Sequence, residues 1–495
     1  MPLRVTTEIF RQQHPMMAVF TTDFYYAGIA NSILTRISKM PAMRGQDQDL
    51  RLKISLNIAQ YFEDIVGDLG IWASFTAKHQ ELYGKPLPFY EIDVDDYYPD
   101  ELHEEDIKYV VWDTLITYNY DAVKNPENPA IALLASDIYD YLKKEWDRAP
   151  INEAFKDFLV KAPFQHDFYQ VRNMLQYFFH QCYLTAGRYH DDYIELSMDF
   201  VKDFFNDINE DQLLYAAENH AVFKYRVGPL ALHTYQWLAM LMRENNNDLL
   251  AERFEVIQWR DIAPYKVKRQ DKAFVYLLDY QGKQCALPLD SFVDDVEFTI
   301  RFNKIFIGSI VKYDETWQVN GMSSWNNITE FYKSYKDHKD REHRYSATNF
   351  YNKVIEKHDG RRLFFFKDLD EYLQWGKKHL MLVNFKKEDL GDNLPHERFP
   401  AVFIAPEDSD LCIAMGAAQV IKHPDNPYYN QEKAKEDAIM FFNPDAVPDV
   451  MARYIVENRL IPDAALNSLQ GEEHGRALVQ DNIDFLARTL RRHDY

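Results

Sequence analysis

The sequence predicts an α+β protein: a mainly α-helical N-terminal half, a small antiparallel β-barrel of SH3-like size in the middle, and a mixed α/β region that turns helical toward the C-terminus. Three observations carry that expectation. Apolar residues recur at three-to-four spacing through the first half. From Phe254 the period falls to two, in short runs broken by turn signals, and beyond Gly321 both patterns occur. These switches divide the chain into a helical domain over 1–253, a barrel over 254–325 and an α+β domain over 326–495.

In IALLASDIYDYLKKEW, Ile131, Leu134, Ala135, Ile138, Leu142 and Trp146 share one helical face; in DDYIELSMDFVKDFFNDI, Ile194, Met198, Val201, Phe205 and Ile208 do the same. VRNMLQYFFHQCYL adds an apolar helix, and VKNPENP and Pro150 punctuate the chain as turns. FEVIQW, KAFVYLLDY, KQCALPL, KIFIGSIVKY and TWQVNG are β-branched and aromatic runs, with Gln281-Gly282 and Asp314-Glu315 as turns. Ile305, Ile307, Ser309, Val311 and Tyr313 fall on one face of the fourth run, and Trp317 is expected to be buried after its turn. Five such strands suit a small barrel. FKDLDEYLQWGKKHL reads as a helix, LMLVNF and AVFIAP as strands. EEHGRALVQDNIDFLARTLRRH reads as one long terminal helix whose Arg488, Arg491 and Arg492 sit where the helix dipole favours cations.

With 495 residues and 46% hydrophobic content, the chain must bury real cores, which excludes a disordered protein. Cys182, Cys285 and Cys412 are too scattered for a zinc ribbon or a disulfide framework. The N-terminus lacks an apolar run of signal-peptide length and no membrane-spanning stretch occurs, so a cytoplasmic protein without membrane contact is expected. A net charge of −22 argues against general coating of nucleic acid. The charge is uneven: residues 1–250 hold 22 basic and 38 acidic groups, whereas 251–400 hold 25 and 24. Any contact with RNA or DNA should therefore involve the middle.

The densest acidic stretch, FYEIDVDDYYPDELHEED from Phe89 to Asp106, contains nine carboxylates. As an EF-hand loop it fails, because Tyr97 and Pro99 stand where oxygen ligands belong and Tyr98 where glycine is required. Two alternatives stay open. Pro99 can start a helix whose first turns carry Asp100, Glu101, Glu104, Glu105 and Asp106, or the segment can dock a basic partner through Asp93, Asp95 and Asp96, anchored by Phe89, Tyr97 or Tyr98.

No P-loop, dinucleotide fingerprint, nucleophile elbow or zincin motif occurs. The best catalytic candidates are Asp191, Asp192 and Glu195 in YHDDYIEL, which could bind Mg²⁺ with help from His166 or His180; against that stands an ordinary solvated helix face. In FYKSYKDHKDREHRY, Lys333, Lys336, Lys339, Arg341 and Arg344 interleave with Tyr332, Tyr335 and Tyr345, a mix that can pair phosphate attraction with base stacking.

The segments HPMMAVFTTDFYYAGIANSI, YFEDIVGDLGIWASFTAKHQELYGKPLPFYEID and YYPDELHEEDIKYVVWDTL, with HPDNPYYN and GRALVQDNIDFLAR near the end, resemble a family of uncharacterised Bacteroidota proteins classed as a domain of unknown function. The resemblance implies no activity, cofactor or catalytic residue. The sequence thus points first to an interaction or scaffold protein that binds a macromolecule, a protein ahead of a nucleic acid, with no cofactor and no metal. An RNA- or ribosome-associated factor using residues 331–362 comes second, and a metal-dependent enzyme built on Asp191, Asp192 and Glu195 third.

Overall fold

Helix Gln48–Gly67 is capped at its start by the Asp47 side chain, which accepts from the Asp49 amide, and ends on Asp68 in the left-handed region. Every residue from Ile54 to Ile65 is buried, polar ones included, so neighbours must pack all round it and each polar group needs a partner. Asn57 Nδ2 donates to Thr114 Oγ1 at 2.9 Å, on helix Glu104–Tyr118, itself buried from Tyr109 to Thr117. The aromatic surplus goes inward: Trp72, Trp112, Trp237, Tyr61 and Tyr109 are fully buried.

The computed structural model describes residues 4–118, 123–160, 167–205, 208–292, 304–327, 329–344, 347–380, 399–407, 410–444 and 446–491, without side chains at 329, 340–344 and 347–349. The expected strand LMLVNF lies outside the described residues beyond Leu380. Two compact units form, one of residues 1–120 with 126–339, the other of 121–125 with 340–495.

In the first unit the helices are joined to sheet. A two-stranded ribbon, β1 (Arg226–Val227) and β2 (Leu232–His233), precedes β3 (Gln258–Gln270), β4 (Phe274–Leu278), β5 (Gln284–Pro288), β6 (Ile305–Tyr313) and β7 (Thr316–Asn326). The last five pair antiparallel in the order β5-β4-β3-β6-β7. Between β6 and β7, Asp314 and Glu315 both take positive φ, the geometry of a two-residue hairpin turn that matches strand twist. The sheet curls around Tyr265, Val267, Val275, Leu277, Cys285, Leu287, Phe306, Ile310 and Val319. Its edges meet through side chains, as in Ser291 Oγ to Gln318 Oε1 at 2.7 Å. Among the described residues no ladder joins β5 to β7, so the SH3-like barrel expected from the strand count is an open, curled sheet instead.

The convex side of that sheet is not free. Ile262, Ile305 and Ile307 pack on Val201 and Ala216 of the helices and on Phe205 beyond the first of them, which buries β6 on both faces and accounts for its unbroken apolar run. At the β6/β7 register shift, Gly321 has a φ of +71°, and a Cβ there would sit 2.9 Å from Asn219 Cβ on helix Glu210–Lys224. Asn320 Nδ2 donates to the Asn219 carbonyl at 2.9 Å. Trp317, expected to be buried, is only partly covered: Arg260 lies over its ring at 4.5 Å.

In the second unit, β8 (Leu363–Phe365), β9 (Ala401–Ala405) and β10 (Asp410–Ala414) form an antiparallel sheet with β9 central. One core gathers Val354, Phe364, Phe366, Tyr372, Val402 and Ile404; on the other face of β9, Phe403 packs on Tyr454 of helix Asp449–Glu457 at 4.7 Å. The asparagines of HPDNPYYN act locally: Asn426 Nδ2 donates to the Ala418 and Ile421 carbonyls, and Asn430 caps helix Gln431–Asp437. The expected long terminal helix is two, Glu472–Gln480 and Ile483–Leu490. Arg491 is not a solvated dipole partner but fully buried, donating to the Phe441, Asn443 and Val447 carbonyls and pairing with Asp449.

Candidate functional site

The acidic stretch is a surface ledge pinned from beneath. Phe89, in the left-handed region at φ 66°, is buried with its ring 4.7 Å from that of Trp112. A 3₁₀ turn, Val94–Asp96, is capped by Asp93, whose side chain accepts from the Asp95 amide at 3.1 Å. Next comes Tyr97, whose hydroxyl accepts from Trp72 Nε1 and donates to Asp106 Oδ1, both at 3.0 Å. Tyr61 donates to Asp106 Oδ2 at 2.7 Å. The His103 ring lies 4.7 Å from that of Tyr97, and His103 Nε2 reaches the Tyr98 carbonyl at 3.0 Å.

Helix formation begins at Glu104, not at Pro99 as one sequence alternative held; Pro99 and Asp100 lie in a turn. Glu104 and Glu105 do occupy the first turn and pair with Lys108, but Asp106 faces the core between the two tyrosines. Burial pushes Asp106 up to about 8, with the tyrosine hydroxyls pulling partly back. Nearby, Asp64 accepts from the Trp72 amide and from Tyr183 Oη, at 2.7 and 2.8 Å, and burial holds it up at about 6.

Above these anchors, Glu91, Asp93, Asp95, Asp96, Asp100 and Glu101 are exposed, around Val94 at 48% and Tyr98 at 53% exposure. Of the three expected anchors, Phe89 and Tyr97 serve and Tyr98 does not. The result is a fixed cluster of carboxylates around two exposed apolar groups.

The other candidate residues are placed differently. Asp191, Asp192 and Glu195 are all exposed on helix Tyr189–Lys202. His180 is exposed, while His190 is buried with its ring stacked 4.4 Å from Phe179; His166 lies outside the described residues. Among the described residues no group of three or more His, Cys, Asp or Glu is arranged to hold a metal ion. Lys333 and Lys336 are exposed on helix Thr329–Arg344, and Lys339 is half-buried with its Nζ 6.0 Å from the Tyr335 ring. The side chains of Arg341 and Arg344, and all of Tyr345, lie outside the description. Tyr332 donates to the Asp279 carbonyl at 2.9 Å, and Tyr335 packs between Phe204 and Tyr280. Both tyrosines are thus engaged within the protein.

Two buried polar constellations escape the sequence. On the inner face of helix Tyr189–Lys202, Ser197 Oγ lies 2.9 Å from His220 Nδ1, and His220 Nε2 lies 3.1 Å from Asp261 Oδ1 at the β3 register shift. The order suggests a nucleophile and base, but Ser197 is fully buried and no substrate can approach it; the chain ties two helices to the sheet. Elsewhere His14, wholly buried, has Glu63 Oε2 at 3.0 Å and Asp23 Oδ1 at 3.5 Å, and Asn152 donates to the other Glu63 oxygen. Apart from His14 and Asp23, these partners stand 23 to 89 residues apart in the chain, so no local motif announces them.

Among the described residues no helix is long and apolar enough to cross a membrane. The described architecture is that of a mixed helix-and-sheet protein with antiparallel sheets and no metal-ligand group among the described residues. By its match to the family model described as "Protein of unknown function (DUF3843)", over residues 8–287 and 315–492, the chain belongs to that family. Searches of curated proteins and of solved structures returned no match.

Proposed function

We propose that this protein is an interaction protein whose acidic ledge, residues 91–101, receives a basic segment of a protein partner. The observation that carries this is the separation of roles within one short stretch: Phe89 is buried and the half-buried Tyr97 is hydrogen-bonded to Trp72 and Asp106, while six carboxylates and two apolar groups face outward. A held ledge loses little conformational freedom on binding, so charge can set the encounter rate and Val94 and Tyr98 can set the fit. The same carboxylates repel phosphate, which favours a protein over RNA. A cytoplasmic setting suits the three buried free cysteines, which stay reduced there.

The test immobilises the wild-type protein, D93N/D95N/D96N, and D191N/D192N/E195Q, which removes equal charge from an exposed helix face elsewhere. Each is exposed to nuclease-treated native lysate and eluted with salt. Basic proteins retained by the wild type and the control but lost from the ledge variant support the assignment; equal retention by the ledge variant contradicts it.

A further inference from the structure

Arg4, helix Asp23–Lys39 and the start of helix Gln48–Gly67 line a groove of about 680 Å³. Its wall carries Arg4, Lys39 and Arg51 with Asn31, Thr35 and Ser38, and among the described residues no carboxylate lines it. In a chain of net charge −22, and in a stretch of residues 1–250 where 38 acidic groups outnumber 22 basic ones, this groove is lined by three cations.

The groove is held in shape. Val5, buried, donates its amide to Asn31 Oδ1 at 2.9 Å and accepts from Asn31 Nδ2 at 2.7 Å, which fixes the backbone beside Arg4 on the helix. Thr35 and Ser38 donate to the Asn31 and Leu34 carbonyls and so keep their side chains against the same wall. Arg36, just outside, is neutralised by Asp137 at 2.7 Å; among the described residues Arg4, Lys39 and Arg51 form no ion pair. Arg51 only touches the Asp47 carbonyl through Nε at 3.4 Å, while the Asp47 carboxylate is taken up by Tyr118 and the Asp49 amide. Arg4 and Lys39 are exposed and Arg51 is half-buried, so all three are accessible to an anion that enters the groove. Two guanidinium forks and an ammonium suit several phosphate oxygens better than one carboxylate. The volume falls within the roughly 300–1,000 Å³ typical of small-molecule sites.

From this we infer that the groove binds a small molecule carrying clustered phosphate groups, at a site separate from the acidic ledge. Isothermal titration calorimetry of the full chain with inorganic tripolyphosphate, ATP and a short oligouridylate tests it, with the last probing a polymeric source of the same chemistry. Two variants locate the binding. K39E/R51E reverses two charges. Gly28→Leu adds bulk to the groove and keeps every cation, and a Cβ at Gly28 meets nothing within 4 Å. Urea midpoints confirm that both variants fold. The expected result is saturable binding of tripolyphosphate or ATP, weakened roughly tenfold or more in K39E/R51E, where each lost charge-assisted contact carries about that factor, and weakened as well in Gly28→Leu, whose side chain takes the ligand's space. Absence of binding to both small probes, undiminished binding in Gly28→Leu, or binding of oligouridylate alone would overturn it.

Discussion

Replacing Asp106 with asparagine isolates one proton in the core. A carboxyl whose folded pKa, about 8, lies above its ordinary 3.8 holds its proton more tightly in the folded chain. Its contribution to stability is therefore complete below the unfolded value and is lost as pH rises through the folded one. One linked proton corresponds to about 1.4 kcal/mol per pH unit, so between pH 5 and pH 7 the wild type should lose roughly 3 kcal/mol that Asp106→Asn does not. Asparagine shifts the hydrogen bonds from Tyr61 and Tyr97 by some fixed amount, but only the pH dependence of the difference is read. Contributions from Asp64 and from net charge are common to both proteins and cancel. Urea unfolding followed by tryptophan fluorescence at pH 5, 6 and 7 supplies the comparison. Parallel curves would show that Asp106 binds its proton no more tightly when folded; wild-type stability rising against the variant would show that it is held ionised. Either would refute the buried neutral anchor.

Three further outcomes follow from named contacts. Tyr97→Phe leaves Trp72 Nε1 and Asp106 Oδ1 without that partner; it should cost ~1–3 kcal/mol in urea unfolding and speed amide exchange across residues 91–101. Gly321→Val must place a β-branched side chain at positive φ against Asn219, and should lower the melting temperature through a loss of ~1–3 kcal/mol. Arg491→Met removes the buried cation paired with Asp449 and the side-chain donor to three backbone carbonyls, and should destabilise the second unit by ~3–5 kcal/mol, measured by hydrogen exchange in helix Asp449–Glu457.

Much of the element order is legible because hydrophobic period is local. The strands β4 to β7 and helix Pro129–Glu145, buried along Ile131, Leu134, Ala135, Ile138 and Leu142, follow from spacing; the first expected strand, FEVIQW, does not, because Phe254 and Glu255 end helix Asp248–Glu255 and the strand runs instead over Gln258–Gln270. Period fails where polar residues do the packing. In helix Tyr189–Lys202 the expected stripe runs through Ile194 and Met198, yet the buried one is Tyr189, Tyr193, Ser197 and Val201. Tyr193 stacks on Tyr225 at 4.5 Å and Ser197 is satisfied by His220, and neither partner is visible from sequence distance. Asp106 and Arg491 misled for the same reason: charge suggests solvent, but distant hydroxyls and carbonyls took both inside. The ledge was legible as acidic and aromatic. Which of Phe89, Tyr97 and Tyr98 would anchor it depended on Trp72 and Trp112, supplied by other helices.

The central claim is that the ledge, rather than the chain's net charge, captures a basic partner. Stopped-flow association of a fluorescent arginine-rich peptide, measured across ionic strength, tests it directly with the wild type, D93N/D95N/D96N and D191N/D192N/E195Q. The account predicts that the ledge variant alone slows association and flattens its salt dependence, while all three proteins unfold at the same urea midpoint. Equal slowing in both variants would contradict it, because attraction would then belong to the whole acidic surface.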